Sequence, residues 1–228
     1  MAKLIFFDLD GTLAEIGKGM LPETVDALKK LEENGHRIAV CSGKPMYYLC
    51  GMLRQIGLKA PILVGESGAD IQFGIDLPPE VCFTLPVSET SKKSIRLLRE
   101  KLEEALPALW YQPNKVALTP FFRSEEEKNR IGALLEEYTA QIGDVDVIRQ
   151  PECYDVVPLG VHKGAGVGAV AAYLSLTAAD VIAVGDSLND YPMFAYAGLS
   201  IGIGLLDPAK ADMNVGSITE ALDYLLTV

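Results

Sequence analysis

The chain has 228 residues, 49% of them apolar, and a formal net charge of −11. That length suits one large domain or a core with a smaller second lobe, and that apolar share builds a buried core rather than a disordered coil. The acidic balance excludes a uniform basic footprint, so no nucleic-acid partner is expected, and it suits a site that collects a divalent cation. The four apolar residues between Lys3 and Asp8 are too few for a signal peptide, and no apolar run approaches a membrane span. Cys41, Cys50, Cys82 and Cys153 show no C-x-x-C pair and read as reduced, mostly buried thiols of a cytoplasmic protein without a membrane partner. The two histidines, His36 and His162, are too few for a histidine metal site and read as structural or solvated.

In chain order, Leu4-Ile5-Phe6-Phe7 predicts a short strand buried on both faces. It runs into Asp8-Leu9-Asp10, and Gly11-Thr12 breaks it. Two carboxylates two residues apart at a strand's carboxyl end point the same way, where α/β sheets bind ligands. Such a pair needs a cation or a shared proton. A helix follows from Pro22 to about Glu33, stopped by Asn34-Gly35. Arg37–Cys41 is a second strand, ending in Ser42-Gly43-Lys44-Pro45. A helix from about Met46 to Ile56 leads to a third strand, Ile62–Val64, and then Gly65-Glu66-Ser67-Gly68. Strand and helix in alternation predict an α/β fold, a doubly wound parallel sheet.

The texture changes near Asp76-Leu77-Pro78-Pro79. From there the elements are a strand (Val81 to Leu85), an amphipathic helix (about Ser91 to Ala105) and aromatic-rich strand material (Trp110 to Phe122). A charged helix (Ser124 to Gln141) and further strand material (Val145 to Val157) complete an inserted α+β lobe. Alternation then resumes with a helix from Lys163 to Tyr173 and a strand, Val181–Val184. Gly185-Asp186-Ser187-Leu188-Asn189-Asp190 follows, then a helix to about Ala197, a short strand at Leu199–Ile201 and a last helix near Ser217. The expected organisation is a core of residues 1–78 and 158–228 interrupted by an inserted domain of residues 79–157. Gly164-x-Gly166-x-Gly168 lacks the spacing of a P-loop, and Gly202-x-Gly204 lacks the third glycine of a dinucleotide fingerprint.

Four segments can converge on the carboxyl edge of such a sheet: Asp8-x-Asp10, Ser42-Gly43, Lys163 and Gly185-Asp186-x-x-Asn189-Asp190. Their three or four carboxylates call for a hard cation, and oxygen-only ligands indicate Mg²⁺. A hydroxyl, backbone amides at a helix start and a lysine suit a phosphoryl group. A carboxylate nucleophile beside a second carboxylate suits transfer through an aspartyl phosphate.

This ordered set resembles the haloacid dehalogenase superfamily of phosphohydrolases over about two thirds of the chain. Phe7–Leu13 looks like that superfamily's first motif, Val40-Cys41-Ser42-Gly43 its second, Lys163-Gly164 its third and Gly185–Asp190 its fourth. The inserted lobe looks like its large C2-type cap, as in the Cof-type, sugar-phosphatase and phosphoglycolate-phosphatase branches. The resemblance implies a Mg²⁺-dependent phosphatase of small phosphomonoesters, such as a sugar phosphate or a phosphorylated acid. Asp8 is then the nucleophile and Asp10 the acid and base. Ser42, Gly43 and Lys163 bind the phosphoryl group. Asp8, the Asp10 carbonyl and Asp186 are the metal ligands. Asn189 and Asp190 orient Lys163 or ligating waters. Lys44 is the candidate substrate contact, although Lys44-Pro45 stands where many relatives have Arg-Pro, and the two cations are not equivalent at a bidentate site. Ser67 stands where many have Asn, so an Asn-type contact is not carried over. The lobe is expected to close over the site and choose the substrate, with Lys115, Arg123 and Arg149 as its polar candidates. A phosphomutase with the same intermediate and a non-catalytic phosphate-ligand sensor are the alternative functions, and the expected assembly is a monomer or homodimer.

Overall fold

The structure, a computed structural model, describes residues 2–228. Its strands are β1 (Leu4–Phe7), β2 (Arg37–Cys41), β3 (Ile62–Gly65), β4 (Asp70–Phe73), β5 (Val81–Thr84), β6 (Trp110–Gln112), β7 (Thr119–Phe121), β8 (Val145–Arg149), β9 (Tyr154–Pro158), β10 (Val181–Gly185), β11 (Leu199–Ile203) and β12 (Met213–Val215). The chain divides into two compact units, changing over between Phe83 and Thr84 and again between Val161 and His162, each a few residues after the boundaries expected from sequence, at 79 and 157.

The larger unit holds an eight-stranded sheet in the order β12-β11-β10-β1-β2-β3-β4-β5. The run from β12 to β3 is parallel, and β4 returns antiparallel to β3. This is the α/β, doubly wound class that strand–helix alternation predicts. β1 lies inside the sheet, and all four of its residues are buried, as an unbroken apolar run requires. On one face Ile5 and Phe7 join Leu28 and Leu31 of α1 (Pro22–Glu33) and Leu222 and Leu225 of α7 (Ile218–Leu225) in a single core. Each large side chain so buried contributes roughly 1.5–3 kcal/mol.

Two strands of this sheet differ from expectation. β4 is not apparent in the sequence, because its alternate residues Asp70 and Gln72 are polar yet buried. Val81–Thr84, read as part of the inserted lobe, instead lies at the edge of the larger sheet. Its Phe83 and the Phe73 of β4 both pack on Tyr173, at centroid distances of 5.8 and 4.9 Å, and that aromatic burial ties the strand to the larger unit.

The smaller unit contains α3 (Glu89–Ala105), α4 (Glu125–Ile142) and two antiparallel pairs, β6 with β7 and β8 with β9. Single bridges from Leu118 to Val156 and from Phe121 to Cys153 link the pairs. Ser88 and Ser124 cap the helices by accepting the backbone N–H groups of Ser91 and Glu127, as Ser at an N-cap should. Leu98 and Leu102 of α3, Ile131 and Leu135 of α4, and Leu118, Tyr154 and Val156 form a separate core. Among the described residues, no helix is long and apolar enough to cross a membrane.

Candidate active site

Strand register builds the site. Phe7 pairs with Val184 on one side and with Val40 on the other. One residue on, Asp8 donates its backbone N–H to the Val184 carbonyl at 2.9 Å. Asp8 therefore leaves the sheet between Gly185-Asp186 and Cys41-Ser42, at the carboxyl edge where the connections diverge in opposite directions. The chain then turns tightly. Gly11 donates to the Ala14 carbonyl at 2.8 Å. Gly11 has φ of +94°, and a Cβ on it would lie 2.4 Å from Asp186 Oδ2, so only glycine lets the turn pass so close to that carboxylate.

Lys163 opens α5 (Lys163–Tyr173), whose N-cap is His162; the imidazole Nδ1 accepts the Ala165 N–H at 3.1 Å. The glycines behind Lys163 permit close packing. A Cβ on Gly164 would stand 2.2 Å from the Pro192 carbonyl oxygen, and one on Gly166 2.8 Å from the Gly68 Cα. Seated in this way, the buried Lys163 ammonium donates to Asp8 Oδ1 at 2.5 Å, to Asp190 Oδ1 at 2.6 Å and to Asn189 Oδ1 at 3.3 Å. Asp190 turns its other oxygen, Oδ2, to the backbone N–H groups of Asp186 and Ser187, each at 3.0 Å. Thr12 donates its hydroxyl to Asp186 Oδ1 at 2.8 Å. Ser42 is buried, and its Oγ accepts the Lys44 N–H at 3.2 Å, which leaves the hydroxyl proton to donate elsewhere. Gly43 follows it in the turn into α2 (Met46–Ile56). The Asp10 carboxylate stands apart, partly exposed and 3.3 Å from the Lys44 ammonium.

Asp8, Asp186 and Asp190 each offer an oxygen within 4.8 Å of the others. One ammonium, Lys163, stands against these three carboxylates, so the cluster carries a formal surplus of two negative charges. Burial pushes the Asp8 carboxyl well above its ordinary value; Lys163 pulls it back, and Asp190 and Asp186 push it up again. Burial also raises Asp186, with Asp190 adding to the rise and the Thr12 hydroxyl opposing it. For Lys163, burial favours the neutral amine, but Asp190 and Asp8 outweigh it and hold the ammonium above its ordinary value. A dicationic ion among oxygen donors would relieve all three shifts.

The family model for haloacid dehalogenase-like hydrolases matches residues 5–129 and 89–209. The chain belongs to that family. A phosphoglycolate phosphatase of Methanococcoides burtonii is 25% identical to it over 239 aligned positions, covering 99% of this chain and 97% of the relative. An HMP-PP phosphatase of Yersinia pseudotuberculosis is 26% identical, covering 90% of this chain and 84% of the relative. The fold matches the crystal structure of a haloacid dehalogenase-like hydrolase from Bacteroides thetaiotaomicron with a TM-score of 0.81. That match has 18% identity and covers 99% of this chain and all of the other.

In this haloacid dehalogenase-like hydrolase, Asp8, Lys163, Asp186, Asn189 and Asp190 meet through direct contacts or within one carboxylate cluster. Ser42 and Gly43 follow the adjoining β2. The oxygen cluster contains Asp190, named from sequence as an orienting residue, and not the side chain of Asp10, whose expected ligand was its backbone carbonyl. Both Asp190 oxygens are engaged, one by Lys163 and one by backbone amides, an arrangement suited to orientation. Sequence reasoning missed Thr12. Its place two residues after Asp10 was visible, but its partner lies 174 residues away.

Proposed function

We propose that this hydrolase removes the phosphoryl group of a small phosphomonoester through an Asp8 aspartyl phosphate, with Mg²⁺ as its metal. The observation that carries this reading is the cluster of three carboxylates around a single buried ammonium. Its donors are all oxygens, which suits a hard dication. Asp8, Asp186 and the backbone carbonyl of Asp10 would hold it. When bound, such an ion screens the repulsion between nucleophile and phosphoryl oxygens and polarises the phosphoryl group.

The residues then divide the work. Asp8 attacks phosphorus as the bond to the leaving oxygen breaks, and Asp10 gives that oxygen its proton. Asp10, now a carboxylate, takes a proton from water. The water oxygen bonds to phosphorus, phosphate departs and Asp8 is regenerated. Lys163 keeps the Asp8 carboxylate ionised and fixed, and offsets the charge that gathers on the phosphoryl oxygens. Ser42 donates its hydroxyl proton to one of those oxygens, and Gly43 offers backbone. Asn189 and Asp190 hold Lys163 in line.

The names of the two phosphatase relatives support a small phosphorylated metabolite as the substrate class. We assign catalysis to the larger unit, which contains every residue of this chemistry, and the choice of substrate to the smaller one. Four free thiols suit a cytoplasmic setting. The deciding experiment incubates purified protein and Mg²⁺ with a ³²P-labelled phosphomonoester and quenches in acid. Label that survives acid, is released by hydroxylamine and is absent from Asp8→Asn supports the reading. Turnover by a folded Asp8→Asn protein at the native rate overturns it.

A further inference from the structure

The smaller unit contains a cavity of about 620 Å³, within the size range of small-molecule sites. One wall is the start of α3, which supplies Glu89, Lys92, Ile95 and Arg96. Another is the segment Thr84–Val87, where the chain enters this unit, and Pro158, near its exit, also lines the space. Lys115 and Val116 complete it. Lys92, Arg96 and Lys115 line the cavity together with one carboxylate, Glu89, on a chain whose net charge is −11. Glu89 is held by Lys92 at 2.7 Å. The remaining lining is largely apolar, with Leu85, Val87 and Ile95 prominent.

The Arg96 guanidinium at the cavity wall on an acidic protein marks a place for an anion, and an apolar wall beside it marks a place for that anion's organic body. We propose that this cavity binds a small organic anion, with its phosphonate-, phosphate- or carboxylate-type head held by Arg96 and an apolar or planar body against Ile95 and Val87. A guanidinium suits such a head because its planar fork matches two oxygens at once. The cationic groups are solvent-exposed, so water and salt screen them and the affinity belongs in the millimolar range, about 1 mM. All the lining residues lie in the smaller unit, and none of them belongs to the carboxylate cluster around Lys163.

Phenylphosphonate is a suitable probe, since it joins a dianionic head to an apolar ring and is not hydrolysed. Amide resonances of the full chain are followed during its titration, with Ile95, Arg96 and Val116 reporting on the cavity and Gly11 and Gly185 reporting separately on the carboxylate cluster. The expected result is saturable shifts at the first three residues. Binding read at Ile95 and Val116 weakens at least tenfold in Arg96→Glu and tightens several-fold in Glu89→Gln, which removes the one negative charge of the lining. Well-dispersed spectra confirm that each variant is folded. Three results overturn the proposal: no saturable shift at the cavity residues, shifts that persist unchanged in Arg96→Glu, or equal shifts with the neutral analogue benzyl alcohol.

Discussion

Lys163 and Asp190 form an ion pair of 2.6 Å in which neither side chain reaches water, at 1% and 0% exposure. Breaking a buried pair strands the surviving charge, at a cost of about 3–5 kcal/mol. Lys163→Met strands two carboxylates, Asp8 and Asp190, in one step. It should lower the melting temperature by roughly 10 °C, the shift such a loss produces in a chain of this size, and reduce turnover roughly 10²–10³-fold. Calorimetry and phosphate release on the same preparation check both. An unchanged melting temperature would show that the pair contributes no net stability.

Asp8→Asn should separate stability from activity. The native Asp8 carboxyl is raised, chiefly by burial. A carboxyl raised on folding works against the folded state once pH exceeds its unfolded value, because the unfolded chain then ionises more readily. The neutral amide escapes this. At pH 7 in EDTA the variant should melt higher than the native protein, while turnover falls roughly 10³-fold or more. A lower melting temperature would show that the contact with Lys163 outweighs the buried charge.

Chelation should abolish phosphate release, and Mg²⁺ should restore it. Ca²⁺ should restore it poorly, because its larger and looser shell does not hold the in-line geometry. Mg²⁺ should also raise the melting temperature in a concentration-dependent way, because an ion held by the folded cluster and not by the unfolded chain stabilises the fold. Full activity after exhaustive dialysis against EDTA would remove the metal from the mechanism.

His36 should make the fold acid-sensitive. Burial, followed by nearby positive charge that includes Lys3, lowers its imidazole below the ordinary value of 6.5. Its Nδ1 accepts the Lys3 backbone N–H at 3.2 Å, and protonation removes that acceptor. The unfolded chain takes up the proton first, so stability is full above about pH 6.5 and declines as pH falls from there towards the lower native value. Melting temperatures from pH 7.5 to 5 should fall less steeply in His36→Gln than in the native protein. Parallel curves would acquit the imidazole.

Thiol titration should count one fast cysteine. Cys82 is exposed, whereas Cys41, Cys50 and Cys153 are buried. Burial pushes the Cys41 thiol up to about 12, so it holds almost no thiolate at neutral pH. An aromatic disulfide reagent should release one equivalent quickly from native protein and the full four only in guanidinium. Rapid modification of Cys41 with loss of activity would show that the edge of β2 opens to solvent.

Much of the larger unit is legible in the sequence because its signals are local. Leu4–Phe7 and Val181–Gly185 are apolar runs that end at carboxylate-bearing turns, and both are buried strands. Pro22 and Gly57 mark helix limits through their own backbone preferences. β4 is hidden because its polar residues are satisfied inside the fold, with Gln72 donating to the Gly74 carbonyl at 2.9 Å; a polar residue in sequence reads as surface. Val81–Thr84 is misplaced for a similar reason, since Phe83 belongs to the larger sheet through Tyr173, far along the chain. Residue type and order single out Asp8, Lys163, Asp186, Asn189 and Asp190, and these side chains lie together in the fold. The bond from Thr12 to Asp186 depends on register between distant strands, which no local pattern encodes.

The pairing of β1 with β10 governs how the protein comes into being on the ribosome. Leu4 pairs with Val181, which is added 177 residues later in the chain. The smaller unit is one continuous stretch, Thr84–Val161, so its strand partners are all available while synthesis continues. The larger unit has to wait. A chain stalled before residue 181 leaves one flank of β1 without a neighbour, and an open edge on an apolar strand is a template for aggregation. It also lacks Asp186 and Asp190. Truncated products of this gene should therefore be sticky and inert together, and a slow passage through the inserted segment lengthens the time that the opening strand spends exposed.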